Sequence, residues 1–107
     1  MNKINIGIIG GAGYTGGELL RILVNHAAAN IVFIHSKSNA GQPVAKVHAD
    51  LAGETDLRFS DTMVFSVDVL FLCAGHGEGR KFLQEHDVSF SVRIIDLSND
   101  FRRQGHP

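Results

Sequence analysis

Residues 4–20 combine an apolar run, a glycine-rich turn and the start of an amphipathic pattern. Residues 4–9 are apolar except for Asn5 and Gly7, which is typical of a strand buried on both faces. The turn contains G-x-G-x-x-G at residues 11–16. Such a turn leaves backbone N–H groups free at a helix N-terminus and removes side chains where an anion would approach. Because it lies between a strand and a helix, it favours a dinucleotide-binding turn over one that serves only close helix–strand packing.

The apolar pattern predicts a helix and a second strand directly after this turn. The residues on or near the apolar face of the helix are Leu19, Leu20, Ile22, Leu23 and Val24. We expect the helix to end near His26, and residues 31–34 to form a second buried strand. Strand, helix and strand together span about thirty residues, the length of a βαβ unit with a right-handed crossover.

The rest of the chain continues this alternation. We expect a long loop over residues 35–56 with one helical turn near 44–48, followed by a short strand at 57–59. The remaining predicted elements are a buried strand at 67–73, a helix at 79–86, a last strand at 92–97 and a polar tail at 98–107. The sequence therefore predicts an α/β fold, a Rossmann-like parallel sheet with helices on both faces, in one domain over residues 1–107.

Composition narrows the function classes. The formal net charge of the 107 residues is -1, so there is no basic surplus for nucleic acid or an anionic membrane, and any phosphate must be recognised locally. The apolar runs are too short to span a bilayer. The single cysteine fits a reducing compartment, and the histidines lack metal-ligand spacing. We expect a cytoplasmic protein with no metal site, no nucleic-acid partner and no membrane partner.

Polar or glycine-rich segments follow each predicted strand. The segments at 36–38, 74–77 and 98–100 should meet the glycine turn, because parallel strands end at one edge of the sheet and ligands bind there. His76, between two glycines, is either a cofactor or substrate contact or a loop histidine without a role. Farther on, Arg102 or Arg103 could hold a substrate anion, or the segment could be a polar exit from the strand.

The end of the second strand discriminates between two nicotinamide cofactors. NAD sites usually place a carboxylate there for the ribose 2′-hydroxyl. This chain has Ser36, Lys37 and Ser38 instead, with no carboxylate before Asp50. Hydroxyls and an ammonium would bind a 2′-phosphate through charge-assisted hydrogen bonds, which favours NADP. Lys37 is either such a contact or a solvated loop residue.

Cys73 ends the predicted strand at 67–73, and this position bears on whether it is a nucleophile. A cysteine in an apolar strand behaves as a small hydrophobic residue with a raised pKa. No residue next to it in sequence is an obvious activating base. The sequence therefore favours a core residue.

Four segments of the chain resemble the N-terminal region of the N-acetyl-gamma-glutamyl-phosphate reductase family. They are Gly-Gly-Ala-Gly-Tyr-Thr-Gly-Gly-Glu-Leu at 10–19, Ser-Lys-Ser-Asn-Ala-Gly at 36–41, His-Gly at 76–77 and Asp-Leu-Ser-Asn-Asp-Phe-Arg at 96–102. The resemblance covers essentially the whole chain. Aspartate-semialdehyde dehydrogenase has a similar first domain but usually differs in the first and last of these motifs.

Membership of this family implies NADPH-dependent reduction of a small-molecule acyl phosphate to an aldehyde, through a cysteine thioester, in arginine biosynthesis. The family's chains are considerably longer than 107 residues, and their nucleophilic cysteine would lie beyond the last residue here. The resemblance thus implies a fragment without the catalytic and dimerisation domain, inactive alone and homo-oligomeric when complete. Two alternatives are a stand-alone nucleotide-binding or regulatory module and a reductase like aspartate-semialdehyde dehydrogenase.

The resemblance also implies binding roles for individual residues. The pyrophosphate contacts would be Gly10, Gly11, Ala12, Gly13, Tyr14, Thr15 and Gly16. Ser36 and Ser38 would bind the 2′-phosphate, His76 and Ser98 would lie toward the nicotinamide, and Arg102 would contact the substrate anion. The chain departs from the family at Gln42, where a lysine is common, and at Ala49, where a proline is usual.

Overall fold

Four strands form one parallel sheet in the part of the chain that the computed structural model describes, residues 3–73 and 91–97. The elements in chain order are β1 (Ile4–Ile9), α1 (Tyr14–Leu23), β2 (Ala29–His35), α2 (Val44–Val47), a 3-10 turn (Ala49–Leu51), β3 (Val69–Leu72) and β4 (Arg93–Asp96). The strand order is β2-β1-β3-β4, and every neighbouring pair is parallel. The prediction of a Rossmann-like α/β sheet is confirmed; β1 has the predicted bounds, β2 is longer than its apolar run, and β3 and β4 are shorter than theirs.

Apolar side chains are buried on both faces of this sheet. On one face, Ile8 packs with Leu20 of α1, and the segment after β2 adds Val44 and Leu51 to the same cluster. The cluster on the opposite face contains Ile9, Phe33, Val67, Leu70, Leu72 and Val92. The predicted helix at 79–86 lies outside the described residues. No helix within residues 3–73 and 91–97 is both long and apolar enough to cross a membrane.

A shift in register between β1 and β2 determines which β2 side chains reach each face. Ile6 is opposite Ile31, but the next residue, Gly7, is opposite Phe33, so Val32 is the extra residue of a bulge. Phe33 consequently lies over Gly7, where a Cβ atom would come within 2.3 Å of the ring. Ile34 returns to the face covered by α1. Gly7 is required by this close packing.

Helix α1 differs from its prediction at the C-terminus and on one face. It ends at Leu23 rather than near His26, because the side-chain amide of Asn25 donates to the Arg21 carbonyl, which the Asn25 backbone N–H would occupy in a continuing helix, and β2 begins at Ala29. Ile22, expected near the buried face, is 64% exposed. The buried stripe runs through Gly16, Leu19, Leu20 and Leu23, at the helical spacing that excludes position 22.

Two expectations about the region around β2 are wrong. Since β2 lies at one end of the described strand order, it is only partly buried, and Val32 is 40% exposed. Residues 57–59 form no strand, because Arg58 bridges Pro43 in an antiparallel sense and Ser60 bridges His35 in a parallel sense. These residues pair with two different segments in succession. The long loop with a helical turn is confirmed as α2 followed by the 3-10 turn.

Candidate functional site

The glycine turn connects β1 to α1 and is tied to the end of β2. Gly10 has a φ of 81°, a left-handed conformation that favours glycine. The N–H groups of Gly10 and Gly11 both donate to the carbonyl of His35, each at 3.1 Å. The turn therefore lies at the carboxyl edge of β1 and β2, where the sequence places it.

The glycines of the turn differ in whether packing within the domain requires them. A Cβ atom at Gly11 would lie 2.2 Å from Ile34 Cγ2, and one at Gly16 would lie 2.7 Å from the Gly11 backbone. Close packing thus explains both. At Gly13, the nearest atom to a Cβ would be the Gly10 carbonyl oxygen at 3.9 Å, and the residue is exposed. Packing does not require this glycine, so an atom from outside the chain has room to approach it.

The N-terminus of α1 opens onto the space at Gly13. Gly13 is the N-cap, makes no side-chain cap hydrogen bond, and its carbonyl accepts from the Gly17 N–H at 3.0 Å. The first turn contains no acidic residue. Tyr14 is 69% exposed, whereas Ala12 and Thr15 are half-buried. A helix end with this composition presents backbone N–H groups and a partial positive charge to an anion.

Two serine hydroxyls are brought together after β2 by one asparagine amide. Asn39 Nδ2 lies 3.1 Å from Ser36 Oγ and 3.3 Å from Ser38 Oγ, and it donates to both. Ser36 is 7% exposed and Ser38 is exposed, as is Lys37 between them. Because each hydroxyl oxygen accepts from the amide, its own O–H can donate outward. Asn39 is a residue of the site that the sequence interpretation missed.

The loop that carries these serines is fixed by residues 57–60. The Ser36 N–H donates to the Ser60 carbonyl at 3.0 Å, and the Gly41 N–H donates to the Phe59 carbonyl at 2.8 Å. Arg58 Nη1 donates to the Gly41 carbonyl at 2.8 Å. The loop is consequently ordered by hydrogen bonds at both ends.

His48 is a second residue that the sequence interpretation missed, and it contacts the glycine turn directly. It is 7% exposed, and its Nε2 lies 2.8 Å from the Gly11 carbonyl oxygen. The 3-10 turn that follows is joined to α1 through Arg21 Nη2, which donates to Asp50 Oδ1 at 3.1 Å. This hydrogen bond from Arg21 lowers the pKa of the Asp50 carboxyl below its ordinary value. In the sequence, His48 stands at the end of the predicted helical turn and directly before Ala49, one of the two departures from the family pattern.

Cys73 lies in the core, as its sequence context predicts. It is 6% exposed and belongs to the cluster on the α1 face. Burial, and secondarily the negative charge of Asp96, raise the pKa of the Cys73 thiol to about 12. A thiol in this environment stays protonated near neutral pH and is a poor nucleophile.

Three predicted site residues, His76, Ser98 and Arg102, lie outside the described residues. The predicted contacts from Gly10 to Gly16 and at Ser36 and Ser38 are within them, at the carboxyl edge of β1 and β2. Within residues 3–73 and 91–97, no group of three or more His, Cys, Asp or Glu side chains is arranged to hold a metal ion.

Curated relatives are similar to this chain in sequence over most of its length. N-acetyl-gamma-glutamyl-phosphate reductase of Bacteroides thetaiotaomicron is 55% identical over 100 residues, which are 92% of this chain and 31% of that protein. The protein of the same name from Parabacteroides distasonis is 53% identical over 103 residues, 95% of this chain and 32% of that protein. The chain thus spans about a third of the length of these curated relatives, and the resemblance seen in its motifs is confirmed over that part.

The chain is also similar to a solved structure and to a family of cofactor-binding domains. Aspartate semialdehyde dehydrogenase with NADP from Candida albicans superposes with a TM-score of 0.69 at 15% identity, over 96% of this chain and 32% of that one, which shows a common fold. Residues 5–106 match the family described as semialdehyde dehydrogenase, NAD binding domain. With a parallel sheet, a glycine turn at its carboxyl edge and a match over nearly its whole length, the chain belongs to this family of NAD-binding domains.

Proposed function

We propose that the chain binds NADP at the edge formed by the glycine turn and the segment after β2. One observation carries the proposal: Gly13 leaves open space at an uncapped helix N-terminus, although nothing in the packing requires a glycine there. Phosphates bind at helix N-termini of this kind because backbone N–H groups and the helix dipole both face them. The turn from Gly10 to Gly16 would hold the pyrophosphate in this position.

Preference for NADP rests on the hydroxyl pair at Ser36 and Ser38. With Asn39 donating to both oxygens, the two O–H groups are left to donate to an anion, and exposed Lys37 adds a positive charge. A carboxylate in this place would repel a 2′-phosphate, and residues 36–38 contain none. Ser38, being exposed, is the more accessible contact, whereas buried Ser36 also fixes the loop.

We further propose that the complete protein is an acyl-phosphate reductase. Two relatives that are 55% and 53% identical to the chain carry the name N-acetyl-gamma-glutamyl-phosphate reductase. NADPH, when bound, would supply the hydride that converts the acyl group into an aldehyde. His76 and Ser98 are proposed to lie toward the nicotinamide, and Arg102 to contact the substrate anion. Since the Cys73 thiol is buried and protonated, it is not proposed as the nucleophile.

A titration with nicotinamide cofactors tests the binding proposal. The full-length protein that contains this chain is titrated with NADPH and NADH by calorimetry at one ionic strength. We expect NADPH to bind at least about tenfold more tightly, since one charge-assisted hydrogen bond contributes about that factor. Equal affinities would contradict the role of Ser36 and Ser38, and no affinity for either cofactor would contradict the dinucleotide site.

The reaction is tested separately with two acyl phosphates. We expect NADPH oxidation with N-acetyl-gamma-glutamyl phosphate and little with aspartyl phosphate. The reverse reaction, from each aldehyde and phosphate, can be measured instead and should show the same preference. Preference for aspartyl phosphate would contradict the proposed substrate and favour an activity like that named for the structural neighbour, aspartate semialdehyde dehydrogenase. Cofactor binding without turnover of either compound would favour a nucleotide-binding module. The cytoplasmic location and the homo-oligomeric state stay predictions.

A further inference from the structure

We propose that His48 is a positioning residue that directs the Ala12 N–H toward the pyrophosphate of the bound cofactor. This inference rests on the proposed function, because it assumes that the glycine turn binds a dinucleotide. It assigns a function to a buried imidazole that lies outside the motif and far from it in sequence.

The contact between His48 and the turn has a defined direction. His48 Nε2 lies 2.8 Å from the carbonyl oxygen of Gly11. A carbonyl oxygen can only accept a hydrogen bond, so Nε2 carries a proton and donates it. With 7% of His48 exposed, water competes little for this carbonyl. The hydrogen bond therefore holds the Gly11 carbonyl toward the interior of the domain.

The direction of the Gly11 carbonyl also fixes the direction of the N–H in the same peptide group, which belongs to Ala12. The C=O and N–H groups of a trans peptide point in opposite directions within one plane. The described residues contain no cis peptide bond. Since the Gly11 carbonyl points at buried His48, the Ala12 N–H points away from His48. Within the described residues, no protein acceptor is found for this N–H.

Gly11 is held on its other side by β2. Its N–H donates to the His35 carbonyl at 3.1 Å, while its own carbonyl accepts from His48. Both peptide planes that flank Gly11 are thereby fixed before any ligand binds. A donor fixed in advance loses little conformational entropy when an anion arrives, which favours affinity.

His48 itself is anchored firmly enough to exert this control. Its N–H donates to the Val44 carbonyl and its carbonyl accepts from the Leu51 N–H, both at 2.9 Å. The ring packs edge-on against Phe59, with centroids 6.3 Å apart. The ring also lies against Gly17, where a Cβ atom would come within 2.6 Å of Nδ1. Phe59 and Gly17 therefore restrict the imidazole while its Nε2 faces the Gly11 carbonyl.

Three variants of the full-length protein test the proposal. His48→Phe keeps a ring against Phe59 but removes the donor, and His48→Gln retains an amide donor near the former Nε2. Leu23→Ala is the matched control, because Leu23 is 9% exposed in the core and lies at the C-terminal end of α1, away from the glycine turn, so its truncation destabilises the core without changing the anchor of His48. The dissociation constant for NADPH is measured well below each unfolding midpoint, so that only folded protein contributes.

We expect His48→Phe to weaken NADPH binding about tenfold, His48→Gln to recover most of this loss, and Leu23→Ala to bind as the wild type does. In the turnover assay, His48→Phe should raise KM for NADPH and leave kcat at saturating NADPH nearly unchanged, because the lost interaction is a binding one. Wild-type affinity in His48→Phe would overturn the proposal. Equal weakening in His48→Phe and Leu23→Ala would also overturn it, by assigning His48 a purely structural role. If the wild type binds no NADPH, the proposed function itself fails.

Discussion

Gly13 and Gly16 lie in the same turn, yet different interactions require them. A side chain at Gly16 would meet the backbone of Gly11 at 2.7 Å, and backbone atoms cannot move aside as a flexible side chain can. Gly13 has an extended backbone, with φ at −80° and ψ at 178°, which any residue adopts. Of these two glycines, packing therefore requires only Gly16, and a ligand is the remaining reason for a glycine at position 13.

Alanine at these two glycines should separate folding from binding. Gly16→Ala gains about 1 kcal/mol in helix propensity, but the overpacking costs about 1–3 kcal/mol, so we expect a net loss of stability. Gly13→Ala should change the free energy of unfolding by less than about 1 kcal/mol and still weaken NADPH binding, because the methyl group occupies the approach to the helix N-terminus. Chemical denaturation and calorimetric titration of both variants provide the measurements. Wild-type affinity in Gly13→Ala would contradict the role of Gly13.

Because its thiol is buried, Cys73 should make the stability of the protein depend on pH in the alkaline range. Burial raises the pKa of Cys73 from about 9.0 to about 12 in the folded protein. Above pH 9 the unfolded chain therefore releases a proton that the folded chain retains. The stability that the buried thiol contributes is fully present below that pH and is lost as the pH rises toward 12.

Cys73→Ala should make denaturation midpoints decline less from about pH 9 upward, where a thiol in the unfolded chain ionises and the buried thiol stays protonated. The native thiol should also resist Ellman's reagent near neutral pH and react once the protein is unfolded. A native thiol that reacts at once would contradict its place in the core.

At the scale of the elements, the four strands of the sheet were predictable, whereas the register between them and the absence of a strand at residues 57–59 were not. Continuous apolar runs are sufficient to indicate buried parallel strands such as β1 and β3. The bulge at Val32 depends on how Phe33 fits over Gly7 in a neighbouring strand, and no local pattern encodes that fit. The end of α1 depends likewise on the side chain of Asn25.

The same distinction applies to the candidate site. Its glycines and serines follow strands directly, so the topology of a parallel sheet predicts that they meet. The contribution of His48 could not be predicted, because its contact with Gly11 joins residues 37 positions apart through a loop with no regular periodicity. Asn39 was adjacent to the predicted serines, but only the fold shows that its amide reaches both of them.

The pairing of β1 with β2 predicts coupling between Gly7 and Phe33. Gly7→Ala would place a Cβ atom 2.3 Å from the Phe33 ring, which is buried, so we expect a destabilisation of about 1–3 kcal/mol. Phe33→Leu alone removes apolar contacts and also destabilises. The double variant should be more stable than the sum of the two changes indicates, by about 0.5–3 kcal/mol. Additive effects in a double-mutant cycle of urea denaturation would show that the two residues do not meet.

At the scale of the whole molecule, the candidate site and the sheet share one network of hydrogen bonds. The His35 carbonyl receives the glycine turn, and the next residue, Ser36, donates to Ser60. Ser60 in turn donates to the Ile34 carbonyl inside β2. Segments that are distant in sequence therefore converge on the end of one strand, and a ligand bound there should stabilise the fold and not merely a loop.

This coupling predicts that NADPH raises the thermal unfolding midpoint of the full-length protein, and more than NADH does at the same concentration. A ligand present at 100 times its dissociation constant stabilises the folded state by about 2.7 kcal/mol, which corresponds to a shift of several degrees. Ser38→Glu is the informative variant, because a carboxylate repels the 2′-phosphate and can accept from a ribose 2′-hydroxyl. It should reduce the shift with NADPH and increase the shift with NADH, while leaving the midpoint without cofactor nearly unchanged, since Ser38 is exposed. If both cofactors protect the wild type equally and Ser38→Glu alters neither shift, the hydroxyl pair after β2 does not select the cofactor.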